Sequence, residues 1–239
     1  LLLGFYALAL HRRSCDKSDE KQRNQFALLI VAGLCAGSAA ACKYPAIVFV
    51  VIPLAFAAMM WRPINNLRKT AFWSIARELD VRGAALFLLA VAVAAGPWYV
   101  KNLCMTGNPT YPMLYSVFGG DGWDQQKDKR WRHAHSAPTD PDGRQFTFNQ
   151  FQQSAEVLGW KSAGHSPLLL PLVAVGLFAA SYRRWMIPLA VFAVYFVVVW
   201  FCMTHHFDRF LTPVLPAIAL MGAIGWAAVE KSRIRSVAL

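Results

Sequence analysis

Six apolar stretches, 26–42, 45–61, 83–100, 166–181, 186–203 and 210–229, contain no Asp, Glu, Lys or Arg. A bilayer core takes roughly 20 helical residues, with about 17 to 25 the usual range. In lipid, only a helix or a closed barrel satisfies its own backbone polar groups. The expected fold is therefore all-α: a polytopic integral membrane helical bundle with six full spans. Residues 1–10 are also apolar and begin without Met. They are expected to form an N-terminal stub, the chain opening inside a membrane helix. Only Lys43 interrupts 26–61, which as one helix would be far too long for a single span at about 1.5 Å per residue. Lys43-Tyr44-Pro45 joins a charge, an interfacial aromatic and a helix breaker, and predicts a tight hairpin there. Stretch 166–181 is a little short, so flanking residues are expected to complete it.

Composition matters here through charge. Charged residues make up 15% of the chain, against about a quarter in soluble domains. The 24 Lys+Arg and 13 Asp+Glu leave a net charge of +11. A basic soluble protein would suggest nucleic acid, whereas a membrane protein places its excess Lys and Arg in the cytoplasmic loops. Alternating the loops separates the two. Segments 11–25, 62–82, 182–185 and 230–239 hold 15 Lys+Arg in 50 residues. Segments 43–44, 101–165 and 204–209 hold 9 in 73, most of them in the long segment, where the rule weighs little. The first set is read as cytoplasmic, together with the C-terminus, and the second as extracytoplasmic. The protein is expected in the cell (cytoplasmic) membrane, its partners membrane lipid and not nucleic acid. Residues 1–239 read as one transmembrane domain, with 101–165 a long extracytoplasmic loop inside it.

That loop has two parts. After Pro97-Trp98-Tyr99-Val100-Lys101-Asn102, Pro97 is expected to end or kink the helix. Gly107, Asn108 and Pro109 then form a turn signal. The residues alone allow either an interfacial anchor with a turn or a re-entrant elbow lining a site. From 121 to 165 the chain is polar and aromatic. His133-x-His135 on a strand would place both rings on one side, with Asp121 and Asp124 nearby, but no third His or Cys completes a metal pattern. No metal site is assigned. Phe146 to Leu158 suits an amphipathic helix with Phe148, Phe151, Ala155 and Leu158 on one face, packed on the membrane or the bundle. Of the five cysteines, Cys42, Cys104 and Cys202 fall near the outer face, as packing residues or a disulfide pair.

Outward polar groups gather at the membrane boundary. Lys43 and Tyr44 lie at the hairpin tip, Lys101, Asn102 and Asn108 after the 83–100 helix, and His205, His206, Asp208 and Arg209 between the last two spans. Cations beside an apolar bundle suit a phosphate on a lipid tail. Taken singly, each residue is better read as snorkelling or interfacial anchoring, and only the convergence of three loops of the same character favours a site. Asp208 is the one acid in the short outer loops, an ion-pair partner or a candidate general base.

Three segments together resemble the GT-C superfamily of polytopic membrane glycosyltransferases, which includes protein O-mannosyltransferase and aminoarabinose-transferase types. The first is Gly33-x3-Gly37-x4-Cys42-Lys43-Tyr44-Pro45-Ala46. The second is Pro97-Trp98-Tyr99-Val100-Lys101-Asn102 with Gly107-Asn108-Pro109-Thr110-Tyr111-Pro112. The third is Arg209-Phe210-Leu211-Thr212-Pro213-Val214-Leu215-Pro216. The resemblance covers about 26–229 and implies a site at the outer membrane face. It implies a polyprenyl-phosphate-linked sugar as donor substrate, inverting transfer, and an acceptor that is a glycan, lipid or protein. Lys43, Tyr44, Lys101, Asn102, His206 and Arg209 would bind the donor phosphate, with Gly107, Asn108 and Pro109 the elbow. The family's acidic catalytic residue lies in its first outer loop, which places it upstream of this sequence and leaves Asp208 as the candidate within it. No cofactor is implied, and a divalent-metal requirement stays open. A transporter or lipid-handling protein, or a non-catalytic membrane scaffold, are the rival readings.

Overall fold

The structure, a computed structural model, describes residues 19–60, 79–161, 166–179 and 182–237. The stub at 1–10, residues 11–18 of the first basic segment with Cys15, Trp61 and residues 62–78 of the second lie outside the described residues. Among the described residues every regular element is helical. They are α1 (Asp19–Cys42), a π-helical turn (Ile47–Val51) running into α2 (Ile52–Met59), and α3 (Val81–Thr106). Next come α4 (Tyr115–Phe118), α5 (Gln125–His135) and α6 (Phe148–Glu156), which continues through a π-helical turn (Val157–Lys161). The chain ends with α7 (Leu169–Phe178), α8 (Arg183–Met203), a 3-10 segment (Asp208–Val214) and α9 (Leu215–Val237).

Each of the six apolar stretches contains a helix, but the helix lengths differ. Three helices are long and apolar enough to cross a membrane: Val81–Thr106, Met186–Met203 and Arg209–Lys231. Phe26–Cys42, Ile47–Met59 and Leu169–Phe178 are shorter. The 10 residues of α7 extend only ~15 Å, about half a bilayer core. The long helices lack a polar side. Along α8, Ile187, Val191, Val194 and Val198 form an exposed apolar stripe, while Phe192, Phe196, Val199 and Trp200 on other faces are buried. A helix apolar all round is stable in lipid rather than against water.

The chain divides into two compact units at Lys129–Arg130. In the first, α1 and α3 run parallel. Gly33 meets Phe87 and Ala90, Gly37 meets Val91 and Ala94, and Tyr44 meets Asn102, so the partners advance together. The glycines permit this approach, since a Cβ on Gly37 would stand 2.5 Å from the Val91 carbonyl oxygen. The chain reverses at Lys43-Tyr44-Pro45, as the hairpin reading expects. It returns through α2 to Met59, whose carbonyl accepts from the Asp80 N–H at 2.9 Å. Asp80 then caps α3 by accepting from the Gly83 N–H, also at 2.9 Å. In the second unit α7 and α9 are the parallel pair, with Leu169 and Leu172 against Gly222 and Gly225, and Gly176 also against Gly225. Met186, near the start of α8, packs on Gly176 near the end of α7.

Two local expectations need correction. Pro97 does not end its helix: α3 runs on to Thr106, so Lys101 and Asn102 are helical and the long loop begins at Gly107. The helix instead stops at Gly107, whose left-handed φ of 73° supplies the C-cap. His133 and His135 lie in a helix, not a strand. Two residues apart there, their side chains point to different sides. The expected helix over 146–158 is present as α6, entered through a capping box between Thr147 and Gln150.

Candidate functional site: two polar helix ends

In the first unit the site is built around one phenol. Tyr44 Oη accepts from Asn102 Nδ2 at 2.7 Å and donates to the Tyr111 carbonyl at 3.0 Å. The Tyr99 ring packs edge-on against Tyr44, centroids 5.7 Å apart, and its hydroxyl donates to the Ala40 carbonyl at 3.4 Å. The hairpin tip, the end of α3 and the 107–112 turn are thus tied together.

The turn owes its shape to Asn108, which is fully buried. Its Nδ2 donates to the Met113 and Gly119 carbonyls, both at 2.9 Å. Its Oδ1 accepts from the Thr110 N–H at 2.8 Å and the Thr110 hydroxyl at 3.1 Å. Every hydrogen-bonding position of the amide is filled. Gly107 supplies the left-handed residue that turns the chain off α3, and the Tyr111–Pro112 peptide is cis. Trp123 packs edge-on against Tyr111 at 5.7 Å, and its buried indole N–H has no partner among the described residues.

The two cations of this end are exposed. Lys43 follows the last residue of α1. Lys101 Nζ stands 4.2 Å above the Trp98 ring, one turn back on α3. The sequence-level set thus divides by role: Tyr44, Asn102 and Asn108 hold the framework, and Lys43 and Lys101 present charge.

His206 and Arg209 belong to the second unit, at the end of α8. His206 adopts a left-handed backbone, φ 57°. Its Nε2 is 2.7 Å from the Phe201 carbonyl, which assigns that nitrogen as the proton donor, and its ring stacks on Phe201 at 4.9 Å. Trp200 Nε1 donates to the Phe207 carbonyl at 3.0 Å, and the Thr204 hydroxyl to the Trp200 carbonyl at 2.7 Å. The Arg209 guanidinium lies 5.1 Å from the Phe207 ring and 5.5 Å from Phe210, and the residue is exposed. Asp208 opens the 3-10 segment.

Sequence reasoning missed what this loop packs against. His205 contacts Phe207, Phe210 and His135 edge-on, at 4.3, 5.0 and 5.8 Å. His135 stacks on Trp131 at 4.3 Å, and Phe146 and Phe151 lie 5.7 and 6.2 Å from Phe201. The aromatic density of 121–165 was the available signal. Among the described residues no three His, Cys, Asp or Glu side chains gather as metal ligands would. No family model, curated protein or solved structure matches the chain.

Proposed function

We propose that the chain is part of a GT-C-type membrane glycosyltransferase, moving a sugar from a polyprenyl-phosphate carrier to an acceptor at the extracytoplasmic face. On this reading all six apolar helices sit in the cell membrane, the shorter three completed by flanking residues. The acceptor hydroxyl attacks the anomeric carbon, the bond from that carbon to the phosphate oxygen breaks, and polyprenyl phosphate leaves with inversion. The acceptor proton passes to a carboxylate, for which Asp208 is the candidate in this sequence. Candidate cations for the departing phosphate are Lys43 and Lys101 in the first unit and, separately, His206 and Arg209 in the second. Tyr44 and Asn102, whose polar groups engage each other, act as positioning residues.

The observation that carries the reading is the Tyr44 clasp. It joins two segments of the resemblance, 58 residues apart at Asn102 and 67 at Tyr111, leaving two exposed cations at the same helix ends. The test is binding and turnover of a polyprenyl-phosphate sugar by the membrane-reconstituted protein. A charge-assisted hydrogen bond contributes about 1.5–3 kcal/mol, so Lys43→Ala or Arg209→Ala, according to which unit holds the phosphate, should weaken donor binding about tenfold or more. Unchanged binding and transfer in both variants would reject the assignment. Donor binding without transfer would favour a lipid-handling protein.

A further inference from the structure

Amphipathic helices of folded proteins usually turn the apolar face inward, and α6 does not. At about 100° per residue, Phe148, Phe151 and Ala155 share one face. Asn149, Gln152, Gln153 and Glu156 share a second, and Gln150 and Ser154 form a third. The buried residues are Gln150, 9% exposed, and Ser154, 6%. Phe148 is 77% exposed, Phe151 59%, and Trp160 in the following turn 65%. The buried seam is held by polar bonds: Gln150 Oε1 accepts from the Thr147 N–H at 3.0 Å, and Nε2 donates to the Pro138 carbonyl at 2.9 Å. The Gln150 amide thus ties the helix to the Pro138 carbonyl, while the aromatic face stays largely exposed.

We propose that α6 and its continuation to Lys161 lie in the headgroup layer of a lipid bilayer, with Phe148, Phe151 and Trp160 directed toward the acyl chains. Four observations favour lipid as the occupant. Phe151 and the neighbouring Phe146 lie 6.2 and 5.7 Å from Phe201, close to the end of the candidate span Met186–Met203, which puts the helix at the depth where that span leaves the membrane. Nine residues extend only ~14 Å, so this helix lies along a bilayer and does not cross it. Exposed Trp160 is followed by exposed Lys161, an aromatic and a cation of the kind found at the headgroup level. The exposed Asn149, Gln152 and Gln153 face remains for water, giving the helix one side each for protein, lipid and solvent. The proposal rests on the membrane placement of the chain and not on sugar transfer.

The test uses the full chain in phosphatidylcholine vesicles. The difference between wild-type and Trp160→Phe fluorescence isolates Trp160. Lipid brominated near the top of its acyl chains should quench that difference signal, as expected of an indole at the headgroup–acyl boundary, and aqueous iodide should remove little. As a second measurement, an environment-sensitive dye on Phe148→Cys, read against the same dye on the native cysteines, should be quenched by shallow spin-labelled lipid. The dye on Gln153→Cys should respond to iodide instead. Iodide quenching of both Trp160 and position 148 would overturn the proposal in favour of a water-facing helix. Oxidative dimers through Phe148→Cys, with no lipid quenching, would overturn it in favour of a second copy as the occupant.

Discussion

Asn108 shows how one side chain can set a turn. Four hydrogen bonds from one buried side chain to the backbone and hydroxyl groups of 110, 113 and 119 hold the turn together. Removing the amide strands several of those groups, at about 1–3 kcal/mol each. Asn108→Ala is expected to destabilise the protein by about 3 kcal/mol, read as a lowered thermal midpoint in lipid nanodiscs. The exposed Asn149→Ala should be silent, and an Asn108→Ala protein as stable as wild type would remove Asn108 from this role. The residues of this end were legible as a group because Lys-Tyr-Pro, Trp-Tyr-x-Lys-Asn and Gly-Asn-Pro are unusual strings beside apolar helices. Their division into framework and charge was not. Only the contacts show that Tyr44 and Asn102 bond each other while Lys43 and Lys101 stay exposed.

At the scale of elements, glycines set the packing. Gly33 and Gly37 bring α1 onto the α3 backbone, and Gly176, Gly222 and Gly225 do the same for α7 and α9. Small residues are a main means by which helices associate closely in lipid, where no hydrophobic effect drives them together. Gly37→Val and Gly225→Val should therefore separate their pairs, lowering the thermal midpoint in nanodiscs by several degrees for about 2 kcal/mol lost. The control is Gly96→Ala, where an added Cβ meets nothing within 4 Å. If Gly37→Val matched that control, close packing of α1 on α3 would be disproved. The apolar runs made these helices legible, but their ends were less so. Pro97 was expected to end or kink α3, yet the helix runs past it to Thr106 and ends at the left-handed Gly107.

For the whole molecule, the two units share one plan: a parallel pair of glycine-packed helices and a third helix running the other way. The proposed topology puts the loops at the two ends of these helices on opposite membrane faces. With the chain in sealed, oriented vesicles, native Cys104 and a cysteine at Lys231, both exposed, should react with an impermeant maleimide from opposite sides. Labelling of both from one side would refute the proposed topology.

The sequence by itself determined the all-helical class and the presence of helices able to cross a membrane, because uncharged apolar runs of that length leave the backbone few other ways to satisfy itself in lipid. It also marked the hairpin at Lys43-Tyr44-Pro45, where a charge, an interfacial aromatic and a proline interrupt an apolar run too long for one span. Tertiary structure decided the rest. Which amide is a framework group and which cation is exposed depends on partners far away in the chain. The outward turn of Phe148 and Phe151 depends on which face of α6 the protein holds. A periodic pattern names the apolar face of a helix, but packing alone chooses what that face meets.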